Sequence, residues 1–123
     1  MKLITFKSAL VLALLFGVFA VAAKAQAEPM VGAYGDLSVR SKDAKAAAAV
    51  AIKTYSSTHT KDRVSLVKIL KAEEQVVAGM NYRICMIVKN RKGIRRTVTA
   101  VVYRPPNKKM RSTAWDPGSC KDI

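Results

Sequence analysis

Few side chains in this sequence are equipped for catalysis. Its 123 residues hold one histidine, His59, two cysteines, Cys85 and Cys120, and eight carboxylates of which only Glu73 and Glu74 are neighbours. A nucleophilic cysteine needs a base within hydrogen-bond reach, and His59 sits in the polar run Ser56-Ser57-Thr58-His59-Thr60, where a solvated loop histidine is the simpler assignment. One histidine and two cysteines also exclude most metal sites, and no cofactor is expected. The composition argues against an enzyme and for a binding protein. With 50% apolar residues the chain is too rich in core-forming side chains for a disordered basic tail, and its length suits one domain.

The amino terminus reads as a targeting segment. Met1 to Lys7 is a short basic start, Ser8 to Ala23 is apolar, and small residues alternate through Ala23-Lys24-Ala25 and Ala25-Gln26-Ala27. This is the three-part layout of a secretory signal peptide, with cleavage after Ala25 or Ala27. The apolar run falls short of the roughly 20 residues that span a bilayer. The expected division is residues 1–25 as signal peptide and residues 26–123 as a single domain. Losing Lys2, Lys7 and Lys24 with no acid lowers the formal net charge from +14 to +11. No second apolar run follows, so the mature chain is expected to be secreted and soluble, extracellular or, in a bacterium, periplasmic. An oxidising compartment makes Cys85 and Cys120 a disulfide pair. Closing that loop of about 35 residues stabilises a fold by roughly 3–4 kcal/mol on the chain-entropy account.

The elements that must carry any binding surface follow from periodicity. Residues 28–40 hold Pro29, Gly32 and Gly35 and read as a flexible lead-in. From Ser41 to Ser56, Ala44, Ala47, Ala48, Ala51, Ile52 and Tyr55 recur at three- and four-residue spacing, which predicts a helix capped by Ser41 with Asp43 in its first turn. Arg63 to Glu73 favours a strand with imperfect alternation. Met80 to Lys89 alternates Tyr82, Ile84, Met86 and Val88 against Arg83, Cys85, Ile87 and Lys89. Asn90 to Gly93 is a turn, and Ile94 to Arg104 is a further strand rich in β-branched residues. Pro105-Pro106-Asn107 breaks it, and a last short strand spans Lys109 to Trp115, whose indole is expected to pack against the sheet. The fold class is α+β: an antiparallel sheet of four to five strands wrapped around one α-helix.

Three short segments stand out against this frame. Gln75-Val76-Val77-Ala78-Gly79 lies in the turn between two strands and exposes apolar side chains that a purely structural turn would avoid. Met30-Val31-Gly32 is an apolar pair before a glycine. Arg104-Pro105-Pro106 is a rigid turn after the next strand pair. In a meander both hairpin connections fall on the same edge, which the lead-in can reach, so the three can form one apolar ridge. Such exposed patches mark partner sites.

In these segments the chain resembles the cystatins, inhibitors of papain-like cysteine proteases. Gln75 to Gly79 matches their Gln-x-Val-x-Gly loop, Gly32 falls at their amino-terminal glycine, and Val50-Ala51-Ile52-Lys53-Thr54-Tyr55 is similar to their helix, with Val50 in place of the usual Phe. The resemblance covers about residues 30–122. It implies a reversible, non-covalent inhibitor that wedges into the protease cleft. Met30 and Val31 would fill unprimed pockets and Gly32 would bend the chain away from the catalytic centre. Val76, Val77 and Ala78, framed by Gln75 and Gly79, would face that centre, while Pro105 and Pro106 would touch the primed side. The implied partners are cathepsin-like enzymes and the implied state is a monomer. Two departures stand out: Pro106 replaces the family's usual Trp, and two cysteines replace four. Cys120 lies near the family's last cysteine, whereas Cys85 is one strand early, so a bridge would fold the tail across the intervening strand.

Charge carries the competing reading. Between Met80 and Trp115 lie Arg83, Lys89, Arg91, Lys92, Arg95, Arg96, Arg104, Lys108, Lys109 and Arg111 with no acid among them. Such a face attracts anionic partners, and a non-inhibitory basic domain that binds polyanions or microbial surfaces is the alternative function. The bland assignment is a solvated face that aids solubility. Tyr82 and Tyr103 are too sparse an aromatic complement for sequence-specific nucleic-acid recognition.

Overall fold

The computed structural model describes residues 32–120; the expected signal peptide, Met30 and Val31 lie outside the described residues. Helix α1 spans Lys42–Thr58, opened by Ser41, whose extended backbone lets its Oγ accept from the Ala44 N–H at 3.1 Å. Ala44, Ala47, Ala48 and Ala51 are fully buried. A stripe of methyl groups keeps little bulk between helix and sheet, so the two approach closely. The helix runs two residues beyond its expected end because Thr58 Oγ1 donates to the Thr54 and Tyr55 carbonyls and the His59 N–H donates to Tyr55 O. These bonds satisfy last-turn carbonyls that would otherwise be orphaned.

Five strands follow one another across the sheet in chain order, each antiparallel to the next: β1 (Tyr34–Leu37), β2 (Val64–Val77), β3 (Gly79–Asn90), β4 (Arg95–Arg104) and β5 (Arg111–Pro117). The expected α+β architecture is present. Tyr82, Ile84, Met86 and Val88 of β3 and Val98, Ala100 and Val102 of β4 face the helix and form the core with the alanine stripe. Cys85 points from β3 to the opposite face, yet it is buried. It is bonded to Cys120, with Cα atoms 5.7 Å apart. The tail crosses β4 to reach it, held by Gly118 N–H donating to Thr97 O.

Two local expectations need revision. Tyr34–Leu37, placed in the flexible lead-in, is a strand because β2 offers it a hydrogen-bonded ladder from Ala72 to Gln75. The strand beginning near Arg63 does not stop at Glu73: β2 continues to Val77, and its pairing shifts register between Leu66 and Lys68 and again between Ile69 and Lys71. Those bulges account for the imperfect alternation. Trp115 lies on the helix side of β5, its ring stacked on Tyr55 at 4.3 Å. Tyr55 in turn stacks on His59 at 4.0 Å.

Around that stack, Tyr55 Oη donates to Asp62 Oδ2 at 2.6 Å, and the Arg96 guanidinium donates to both partners. The Arg96 hydrogen bond, with that of Tyr55 behind it, holds the Asp62 carboxyl below its ordinary range. The same carboxylate raises the Tyr55 phenol. This clasp fastens the end of α1 to β4.

Candidate functional site

Ala78 alone separates β2 from β3, with Val77 paired to Gly79 across the turn. So tight a reversal needs a backbone that side chains disfavour, and Gly79 supplies it at φ +100°. A second constraint acts at the same atom. A Cβ on Gly79 would lie 2.2 Å from the Arg104 carbonyl oxygen and 3.1 Å from Pro105 Cα. The first hairpin thus rests backbone to backbone on the start of the second. Tyr103 Oη donates to the Ala78 carbonyl and braces the tip. Val76 and Val77, 54% and 37% exposed, are turned away from the core.

Gln75 ties the amino-terminal segment to this hairpin. Its Nε2 donates to the Gly32 carbonyl, and its Oε1 accepts from Asn81 Nδ2 at 2.9 Å. Gly32 also has positive φ, +99°, but nothing lies within 4 Å of a Cβ built there, so its demand is conformational only. On the other flank Pro105 to Lys108 closes a turn through Lys108 N–H donating to Pro105 O, with Asn107 at φ 57°. Positive φ at the third residue after a proline at the second is the type II pattern. Pro106 is exposed at its corner.

The structure therefore brings Gly32, Gln75 to Gly79, Pro105 and Pro106 to one end of the sheet. Met30 and Val31, which precede Gly32 in the chain, lie outside the described residues. Sequence reasoning missed the braces: Asn81, Tyr103 and Arg104. Arg104 reaches Asp43 at the start of α1, at 3.3 Å, and lies over the Tyr82 ring, whose phenol burial pushes upward. Behind β1, Arg83 pairs with Glu73 at 2.8 Å and stacks 4.0 Å from the Tyr34 ring centroid. Asn81 was findable, because a turn centred on Ala78 places it opposite Gln75. Chemically the end is an apolar tip with hydrogen-bonding backbone on both sides and basic side chains, Lys108, Lys109 and Arg111, close behind. Among the described residues no group of three His, Cys, Asp or Glu could hold a metal ion.

Comparison with solved structures supports the fold. The crystal structure of Al-CPI superposes with a TM-score of 0.59 at 17% identity, covering 71% of this chain and 100% of the other. The salivary cystatin of the soft tick Ornithodoros moubata gives 0.56 at 18% identity, covering 71% of this chain and 97% of the tick protein. No curated protein sequence matches the chain. A family model does, that of SQAPI, described as aspartic acid proteinase inhibitor, across residues 34–114. The cystatin resemblance thus holds at the level of fold, and by sequence the chain belongs to the aspartic acid proteinase inhibitor family SQAPI.

Proposed function

We propose that this chain is a secreted, reversible and non-covalent inhibitor of aspartic proteinases, and that the Gln75–Gly79 hairpin enters the substrate cleft. The observation that carries this reading is the pairing of family membership with an exposed, rigidly held apolar tip. A protease cuts a chain it can hold extended. The one-residue reversal at Ala78, fixed by Tyr103 and by the Arg104 backbone against Gly79, resists that geometry, so the tip occupies a cleft without presenting a cleavable strand. A preformed surface also loses little conformational entropy on binding. Val76 and Val77 supply desolvation energy at the centre. Gly32 and Pro105-Pro106 shape the flanks, and Met30 and Val31 extend the contact on the amino-terminal side. Export rests on the leader pattern in residues 1–27 and agrees with the Cys85–Cys120 bond.

A second target class is favoured by one specific feature. Gln75-Val76-Val77-Ala78-Gly79 keeps the cystatin loop pattern in a cystatin-like fold, which suits papain-like cysteine proteases. Parallel titration of a pepsin-like enzyme and of papain separates the two. Stoichiometric loss of pepsin-like activity, with the inhibitor recovered intact by mass spectrometry, is the expected result. Loss of papain activity alone would transfer the reading to cysteine proteases. Salt-sensitive retention on heparin with both enzymes fully active would leave the basic, polyanion-binding alternative.

A further inference from the structure

At the far end of β2 from the hairpin tip, a groove of about 650 Å³ runs between α1 and the first half of the strand. Its apolar surface comes from Ala49, Ile52, Val64 and Leu66, and Leu66 is 40% exposed. The groove exists because β1 pairs with β2 only from Ala72 to Gln75, so among the described residues no strand covers β2 from Val64 to Lys71. A smaller cavity of about 220 Å³ adjoins it, sharing Arg63, Val64 and Ser65 and completed by Lys89, Asn90 and Arg91. Among the described residues no carboxylate lines either cavity. The ion pairs among the described residues engage Arg83, Arg96 and Arg104, and none of the described carboxylates pairs with Arg63, Lys89 or Arg91.

A trough with an apolar floor, bordered on the helix side by Lys45 and Lys53 and leading to Arg63, Lys89 and Arg91, has the polarity of a single-chain amphiphile with an anionic head. We propose that this face binds such a molecule as a free monomer, its alkyl chain between α1 and β2 and a phosphate-like head at Arg63, Lys89 and Arg91. The volume is within the roughly 300–1,000 Å³ of ordinary ligand sites. Three converging cations suit a doubly charged phosphomonoester better than a carboxylate. The charge on this edge also argues against a second copy of this chain there, since an antiparallel register centred between Lys68 and Lys71 would set each of them opposite the other in the second copy.

Calorimetric titration with monododecyl phosphate, kept below its micelle threshold, tests the assignment. The expected result is one ligand per chain, bound at least about tenfold more tightly than inorganic phosphate or dodecanol. Ala49→Trp, which fills the trough from an exposed helix position, and Lys89→Glu, which reverses a charge at the head, should each weaken binding about tenfold or more. Both should leave the melting temperature and the proteinase titration unchanged, which separates this site from the hairpin tip. Binding equal to that of inorganic phosphate, or undiminished by Ala49→Trp, would overturn the proposal. So would binding confined to micelles or anionic vesicles.

Discussion

Gly79 joins the two hairpins by lacking a side chain. Its φ of +100° and the 2.2 Å that would separate Arg104 O from any Cβ at this position both oppose replacement. Gly79→Ala should therefore cost about 1–3 kcal/mol, read as a lower urea midpoint, and should weaken inhibition as the tip loses its support. Asp62 makes a prediction of a different kind. Its carboxyl titrates lower in the folded chain than in the unfolded one, chiefly because Arg96 donates to it and then because Tyr55 does. The folded state then binds fewer protons, so the clasp contributes fully above the unfolded value of about 3.9 and its contribution is lost as pH falls below that value. Melting temperatures of the protein and of Asp62→Asn, measured from about pH 6 to pH 2, should differ most at the upper end and converge at the lower. A gap that widens on acidification would contradict the clasp.

Among the elements, the tail that carries Cys120 is held by its bond to Cys85 and by Gly118 to Thr97. Replacing both cysteines by alanine should lower stability by roughly 3–4 kcal/mol on loop entropy, measured by denaturant unfolding. Because the bridge lies far from the hairpin tip, inhibition should survive at temperatures where the variant remains folded. The helix, β3 and β4 were legible in the sequence because each repeats its own period locally: alanines around Ser41's cap, and alternation through Tyr82–Val88 and Thr97–Val102. Strand β1 was not. Gly32 and Gly35 argue against a strand, and only the remote ladder at Ala72–Gln75 makes one. The end of β2 was misjudged for a related reason, since Gln75 and Val76 look like turn residues until a one-residue reversal at Ala78 is allowed. The apolar character of the tip was legible, as were its glycines. The braces from Tyr103 and Arg104 depend on how two hairpins lie together, which no local pattern reports. The meeting of Arg63 with Lys89 and Arg91 arises in the same way, from the Val64–Asn90 pairing.

The molecule as a whole is strongly basic, with a net charge of +14 over the full sequence, and the three ion pairs among the described residues engage only Arg83, Arg96 and Arg104. A target with an acidic cleft rim should be drawn to the end bearing Lys108, Lys109 and Arg111. Its association rate should then fall about tenfold or more from low to roughly 0.5 M salt, with dissociation little changed, as stopped-flow fluorescence would show. In the proposed mechanism the exposed valines of the first hairpin, carried on a sheet that α1 backs, block a proteinase cleft. Titrating a pepsin-like proteinase with the native chain and with a Val76→Asp, Val77→Asp variant tests this most directly. The native chain should abolish activity near one equivalent, and the equally stable variant should need about 100-fold more or fail altogether. A variant that inhibits as well as the native chain would contradict that mechanism.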